Sequence, residues 1–269
     1  MSEPTADSTP PRSSAAGWTA PDSTAGQRKS SESTLRIGLV LPDVMGTYGD
    51  GGNALVLRQR ARMRGIDAEI VHITLDDEVP ESLDVYTLGG AEDYAQRLAT
   101  RHLTRYPGLQ RAAASGRPVL AICAAIQVLG HWYETSAGER VDGISMFDLT
   151  TAPQESRSIG ELVTQPLLDG LTQPLTGFEN HRGGTTLGPD AAPLARVRHG
   201  VGNGVGDGTE GVVQGSVLGT YMHGPALARN PELADLLLAR AMGVDSLAPL
   251  DLPEVDRLRS ERLAAGRRV

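Results

Sequence analysis

The sequence has very little cysteine and very little lysine, and each scarcity excludes a class of chemistry. It contains one cysteine in 269 residues, which permits no internal disulfide and no cysteine-rich zinc site. Its one lysine, Lys29, lies in a Ser/Thr/Pro-rich stretch, which argues against a P-loop lysine or a Schiff-base lysine. Any covalent chemistry through a thiol must therefore use Cys123.

Charge and hydrophobicity limit which kinds of partner and which location the sequence allows. Asp and Glu number 33 against 25 Lys and Arg, a net charge of −8 without a basic run, which argues against nucleic acid and anionic membranes as main partners. No apolar run reaches the roughly 18 residues of a membrane span, so no direct membrane insertion is expected. The N-terminal segment lacks the apolar block of a signal peptide, and we expect a cytoplasmic protein. No metal site is expected.

Composition divides the chain into three parts. Residues 1–34 are mostly Ser, Thr, Pro, Ala and Gly, and we predict a disordered tail because this segment has too little apolar surface to offset the entropy of ordering. Residues 35–245 are enough for one well-packed domain. Residues 246–269 form a charged C-terminal tail that is compatible with a helix.

Short apolar runs alternate with helical patterns in the first half of the domain. The runs predict strands, and the patterns between them predict helices; the strands are at 35–41, 68–73, 85–88 and 118–122, and the helices at 54–64, 103–114 and 124–129. Beyond Trp132 the pattern favours strands, at 149–151, 159–163, 176–179, 194–198 and 212–221, before a helix at 231–242. This order predicts an α/β fold with a doubly wound sheet.

Cys123 lies where a predicted strand meets a predicted helix. A helix N-terminus lowers the pKa of a thiol, and its free N–H groups can stabilise an oxyanion. The neighbours Ala121, Ala124 and Ala125 are small, as a sharp strand-to-helix turn requires. The alternative is a buried, inert cysteine, and position alone does not decide between the two.

A reactive thiol also needs a base. Of the six histidines, His181 and His223 stand at the ends of predicted strands beside glycine. His223 is the better candidate because the apolar run 217–222 leads directly to it.

Two segments resemble the class I (triad) glutamine amidotransferases. AICAAIQVLG (121–130) resembles their nucleophile elbow, G-x-C-x-G-x-Q, and GTYMHGP (219–225) resembles the histidine strand of the CobB/CobQ-like, or cobyric-acid-synthase-like, branch. Further segments narrow the resemblance to the glutaminase subunits of lipid II isoglutaminyl synthases; they are YGDGGN (48–53), LGGAED (88–93), RSIGE (157–161), GFENH (177–181) and NPELA (230–234).

The resemblance implies a flavodoxin-like doubly wound sheet, largely parallel with antiparallel additions, and a role for several residues. Cys123 would attack the side-chain amide of L-glutamine, with His223 as base. Backbone N–H groups of Gly90 and Ala124 would hold the oxyanion. The guanidinium of Arg157 would hold the α-carboxylate. Gln127 would be either a polar wall or a substrate contact.

The sequence departs from the family pattern at the histidine. These triads usually carry Glu two residues after it, whereas this chain has Pro225, which cannot orient an imidazole. The third acid would then be Glu92, Asp93 or Glu179, or an aspartate lent by the partner subunit, unless the site is a dyad.

Smaller departures concern the elbow and the loops. Ala121 and Ala125 replace both elbow glycines, and Ala91 ends the glycine-rich turn. Tyr48, Asp50 and Asn53 have two interpretations that the sequence does not separate. They either shape their loop or face the ammonia acceptor.

The resemblance also implies a partner. The chain has no nucleotide motif, so ATP and Mg²⁺ are expected on a Mur-ligase-like subunit that forms a heterodimer with it, and no cofactor is expected in this chain. That partner would amidate the D-glutamate α-carboxyl of lipid II in peptidoglycan synthesis. The alternatives are a cobyrinate-type amidotransferase subunit and a catalytically silent scaffold subunit.

Overall fold

The structure is a computed structural model that describes residues 34–265. The tail predicted over residues 1–34 lies outside the described residues except for its last residue. The strands are β1 (Leu35–Val40), β2 (Ala68–Ile73), β3 (Val85–Leu88), β4 (Val119–Ile122), β5 (Trp132–Glu134), β6 (Arg140–Asp142), β7 (Leu149–Pro166), β8 (Leu175–Leu187), β9 (Ala195–His199), β10 (Thr209–Glu210), β11 (Val212–Gln214) and β12 (Val217–Thr220). The helices are α1 (Gly52–Arg62), α2 (Asp93–Arg105), α3 (Gly108–Ala114), α4 (Ala124–Leu129), α5 (Ala226–Arg229), α6 (Pro231–Met242) and α7 (Pro253–Ala265).

The first sheet brings four chain segments to one edge. Its strand order is β11-β12-β4-β3-β1-β2, parallel throughout except for the antiparallel pair β11–β12. The carboxyl ends of parallel strands meet at one edge, where ligands bind in open α/β folds. That edge receives the loop after β1, the Gly89-Gly90 turn after β3, Cys123 after β4 and His223 after β12. The predicted doubly wound, largely parallel sheet is confirmed.

A second sheet supplies the wall above this edge. Its strand order is β10-β9-β7-β5-β6, with β8 paired to β7 in a long antiparallel ribbon. The register of the ribbon shifts between Pro153 and Ser158, so residues 154–157 bulge out and end at Arg157. The two short strands predicted at 149–151 and 159–163 are parts of one strand, β7, because the bulge interrupts the apolar pattern without ending the pairing.

The helix predicted at 103–114 is wrong. Pro107 has no N–H to continue a helix, and the chain forms two helices on either side of it, α2 and α3. Gly108 then packs so closely on Val79 that a Cβ there would lie 1.7 Å from the Val79 carbonyl oxygen. The strand predicted at 212–221 is likewise two strands, β11 and β12, separated by a turn in which Gly215 has a φ of 58°.

The charged C-terminal segment contains α7, which is attached by a buried arginine. Arg259 donates to the carbonyl oxygen of Arg229 at 2.9 Å and also to that of Pro174. In the part of the chain described here, no helix is both long and apolar enough to cross a bilayer.

Candidate active site

Cys123 occupies a strained turn between β4 and α4. Its φ and ψ are 53° and −112°, a left-handed conformation that non-glycine residues rarely adopt. The Cys123 N–H donates to the Thr220 carbonyl oxygen of the neighbouring strand at 2.9 Å, and the residue is only 5% exposed. The small side chains of Ala124 and Ala125 are buried behind the turn. This is the geometry of a nucleophile elbow, as the position of Cys123 predicts.

His223 lies beside the thiol and is fixed on its other side by a carboxylate. Its Nδ1 is 3.0 Å from Oδ1 of Asp50, and both residues are buried. Since a carboxylate only accepts, Nδ1 carries a proton. The opposite ring nitrogen, Nε2, has no hydrogen-bond partner among the described residues, and Cys123 is near enough to raise the pKa of the ring. Backbone hydrogen bonds with Phe178 of β8, at 2.9 and 3.1 Å, hold the histidine in place.

The electrostatics of this arrangement favour a charged histidine. Burial alone lowers the pKa of His223, but the hydrogen bonds and negative charges of Asp50 and Cys123 raise it to about 10. A thiolate beside an imidazolium is the reactive form of a cysteine nucleophile. Cys123, His223 and Asp50 therefore have the arrangement of a nucleophile, a base and the acid that orients the base.

The three acids of this chain proposed from sequence as the orienting residue are all engaged elsewhere. Glu92 accepts from the Tyr48 hydroxyl, and Asp93 accepts from the N–H and hydroxyl of Ser136. Glu179 accepts the N–H groups of Val201 and Gly202. The residue that does contact His223 is Asp50, for which the sequence leaves two interpretations, a loop-shaping residue or one that faces the ammonia acceptor.

Pro225 explains how Asp50 reaches the histidine. The Pro225 ring packs on Gly52 so closely that a Cβ there would lie 2.3 Å from the ring. Asn53 ties the same two loops together, since its side chain accepts the Leu227 N–H at 3.0 Å and donates to the Asp50 carbonyl oxygen at 3.0 Å. Pro225 of the histidine loop thus packs against the loop that carries Asp50.

The two predicted oxyanion donors, the N–H groups of Ala124 and Gly90, have different surroundings. Ala124 is the first residue of α4, next to the thiol. The Gly90 N–H, however, donates to Oδ2 of Asp50 at 2.8 Å. In this conformation the carboxylate that orients His223 also accepts the Gly90 N–H, and the oxyanion role of Gly90 stays a prediction.

The other predicted site residues meet in one cavity of about 330 Å³. Cys123, Gln127 and Arg157 all line it. Gln127 is buried and contacts Gly183, where a Cβ would lie 2.5 Å from its Nε2. Arg157 is exposed, and its Nε donates to Oδ1 of Asn180 at 2.6 Å. A small polar molecule held by Arg157 can thus reach the thiol.

His181, the second candidate base, also lines the cavity but is engaged elsewhere. Its ring stacks on Tyr221 with centroids 4.0 Å apart. Its Nδ1 lies 2.9 Å from the Gly183 carbonyl oxygen and its Nε2 3.4 Å from Glu179. Because both ring nitrogens already have partners, His223 is the histidine that the geometry makes available to the thiol.

Two curated relatives resemble most of the chain. The subunit GatD of the glutamine-hydrolysing lipid II isoglutaminyl synthase of Staphylococcus aureus is 35% identical over 218 residues, covering 80% of this chain and 87% of that protein. The protein of the same name from Streptococcus pneumoniae is 32% identical over 233 residues, covering 86% and 89%. A cobyric acid synthase of Brucella anthropi is 29% identical over 169 residues, covering 59% of this chain but 32% of that protein.

A solved structure supports the fold. The crystal structure of a glutamine amidotransferase superposes with a TM-score of 0.51 at 18% identity, covering 76% of this chain and 98% of that one. Residues 36–231 match the CobB/CobQ-like glutamine amidotransferase domain. The chain therefore belongs to the CobB/CobQ-like glutamine amidotransferase family.

Proposed function

We propose that this chain is the glutaminase subunit of a lipid II isoglutaminyl synthase. It hydrolyses L-glutamine at Cys123 and delivers the ammonia to a Mur-ligase-like, ATP-dependent partner, which amidates the D-glutamate α-carboxyl of lipid II. One observation carries the proposal. Two relatives with this activity in their names align over at least 80% of the chain, in a fold that holds Cys123, His223 and Asp50 together.

The reaction follows from the order of the three residues. Nε2 of His223 takes the proton of the thiol, and the sulfur of Cys123 attacks the carboxamide carbon of glutamine. The oxyanion of the tetrahedral intermediate accepts the Ala124 N–H at the start of α4. His223 then gives its proton to the departing amine, which leaves as ammonia. A γ-glutamyl thioester remains on Cys123. Water, deprotonated by His223, hydrolyses the thioester to glutamate and restores the thiol.

Asp50 has two tasks in this mechanism. Its Oδ1 keeps the proton on Nδ1, so Nε2 is the nitrogen that exchanges protons with the sulfur and the leaving group. Its Oδ2 holds the Gly90 N–H, which joins the oxyanion hole only if that hydrogen bond opens. In this mechanism the acid that orients His223 comes from this chain, and an aspartate lent by the partner stays an untested alternative.

The division of labour between two subunits rests on what this chain lacks. It has one lysine, Lys29, and no nucleotide-binding motif, so the proposal assigns ATP and Mg²⁺ to the partner and no cofactor to this chain. The curated relatives are themselves named as subunits. A heterodimer that conducts ammonia from this cavity to the partner's acceptor site is the simplest such assembly.

Two alternatives fit less well. A cobyrinate-type subunit would resemble cobyric acid synthase, but this chain aligns with only 32% of that protein. A silent scaffold would have no use for a strained cysteine in contact with a histidine–carboxylate pair.

The test measures the two half-reactions separately. The purified chain, alone and with a Mur-ligase-like partner, is supplied with either glutamine or ammonium, and glutamate and amidated lipid II are quantified. We expect C123S to abolish amidation from glutamine but not from ammonium, since only the ammonia source is lost. Amidation from glutamine by C123S would refute the proposed function.

A further inference from the structure

A phenol at the rim of the cavity joins two opposite charges. The Tyr48 hydroxyl donates to Oε1 of Glu92 at 2.5 Å and accepts from Nη2 of Arg157 at 3.2 Å. All three residues line the cavity that contains Cys123. A carboxylate and a guanidinium are thus held one oxygen atom apart, in the cavity that the thiol also lines.

This spacing matches a particular class of ligand. An α-amino acid carries an ammonium and a carboxylate on the same carbon, so the groups that recognise them must be opposite in charge and close together. Glu92 and Arg157 are both exposed in the free protein, so a ligand can reach them. Tyr48 remains a neutral donor, because burial and the neighbouring Glu92 raise its pKa above 10.

The other acids of the cavity are less suited to an ammonium group beside Arg157. Asp93 is already satisfied by the N–H and hydroxyl of Ser136, at 2.9 and 2.5 Å. Glu134 lines the cavity from β5 but shares no hydrogen bond with Arg157 or Tyr48 among the described residues. Glu92 is the acid that a single hydroxyl connects to the arginine.

We propose that Glu92 binds the α-ammonium group of the substrate, with Arg157 on its α-carboxylate, and so selects an amino acid over a simple carboxylic acid amide. The inference rests on the proposed function, since it takes glutamine as the substrate. The arriving ammonium replaces the Tyr48 hydroxyl as the partner of Glu92. Tyr48 is then released from the bridge between the two charges.

The experiment compares two substrates that differ only in the ammonium group. They are L-glutamine and 4-carbamoylbutanoate, which has the same carboxamide and carboxylate but no amine. The ratio of their kcat/KM values is measured for the full chain and for the variants E92Q, E134Q and E155Q. E92Q keeps an acceptor for Tyr48 and loses only the charge, whereas Glu155 is exposed in the bulge and outside the cavity lining, so E155Q is the matched control.

We expect the unmodified chain and E155Q to prefer glutamine by about 10-fold or more, the contribution of one charge-assisted hydrogen bond. E92Q should bring the ratio close to one by lowering kcat/KM for glutamine alone. If E92Q still prefers glutamine by the same kcat/KM ratio, or if E134Q is the variant whose ratio falls to about one, the proposal is refuted.

Calorimetric binding to C123S separates this outcome from a failure of the proposed function. If the unmodified chain releases no ammonia from either substrate, the proposed hydrolysis fails. Preferential binding of glutamine by C123S that is lost in the E92Q/C123S double variant would still support Glu92, and equal binding of both ligands by C123S would refute it.

Discussion

The most discriminating perturbation of the proposed triad is D50N, because asparagine keeps one of the two hydrogen bonds of Asp50 and reverses the other. The asparagine oxygen can still accept the Gly90 N–H, which is 2.8 Å from Oδ2 in the native protein. The amide nitrogen is a donor, so it cannot accept the proton of Nδ1 of His223. The imidazole would then carry its proton on Nε2, the wrong nitrogen for deprotonating the thiol.

The magnitude follows from two effects. Loss of the carboxylate removes the hydrogen bond and charge that raise the pKa of His223 to about 10, so at neutral pH fewer molecules hold an imidazolium beside the sulfur. The inverted tautomer removes general-base catalysis. Together these changes should lower kcat for glutamine about 10²- to 10⁴-fold, the range seen when a triad loses its orienting acid or its base.

Two assays check this prediction. Ammonia release gives kcat, and the rate of Cys123 alkylation by iodoacetamide as a function of pH reports how much thiolate is present. In D50N, alkylation at pH 7 should slow, because the pKa of His223 falls and fewer molecules hold an imidazolium beside the sulfur. D93N is the control, because Asp93 binds only Ser136 among the described residues and should leave both measurements nearly unchanged. A D50N chain with kcat within about threefold of the unmodified protein would refute the assignment of Asp50.

Three further predictions concern stability and the C-terminal helix. Burial raises the pKa of Glu210 from 4.5 to about 7, so this group lowers the free energy of unfolding as the pH rises through that range. The free energy of unfolding of E210Q should therefore exceed that of the unmodified protein by an amount that grows by up to about 3 kcal/mol between pH 4.5 and pH 8. R259Q should lower the free energy of unfolding by about 2–3 kcal/mol, because it leaves the Arg229 and Pro174 carbonyls without their donor. R257Q should change it by less than about 0.5 kcal/mol, since Arg257 is exposed and, within residues 34–265, pairs only with Glu261.

Each of these three has a clear contrary result. A parallel pH dependence of E210Q and the unmodified protein would contradict the buried, protonated Glu210. Equal losses in R259Q and R257Q, measured by thermal or urea unfolding, would mean that the α7 helix is not attached through the buried guanidinium.

Much of the fold and part of the site could be predicted from sequence, for identifiable reasons. The strands β1, β3 and β4 are almost wholly buried and read as short apolar runs, whereas β2 at the sheet edge is only partly buried. Each of the four ends within one residue of its predicted position. The turn at Cys123 follows from the adjoining strand and helix patterns. The continuous ribbon β7–β8 is harder to predict from sequence, because its bulge at residues 154–157 is exposed and polar while the strand pairing continues on both sides.

Asp50 was missed because its function depends on a contact between distant parts of the chain. It is 173 positions from His223, and the intervening sequence contains nothing that pairs them. The family pattern places the acid two residues after the histidine, where this chain has Pro225. A signal was present in the YGDGGN segment, since a lone carboxylate among glycines directly after the first parallel strand stands at the edge where ligands bind.

The place of Asp50 changes what a partner subunit can be expected to control. The departure at Pro225 left a triad completed in trans as one option, which would explain how hydrolysis is restrained without the ligase. With Asp50 already 3.0 Å from the histidine, the base is oriented in the single chain. The component out of position is the Gly90 N–H, which the same carboxylate holds at 2.8 Å. If hydrolysis is slow without a partner, the physical cause to test is therefore the oxyanion hole, because the Gly90 N–H is bound to Asp50 while His223 is already oriented.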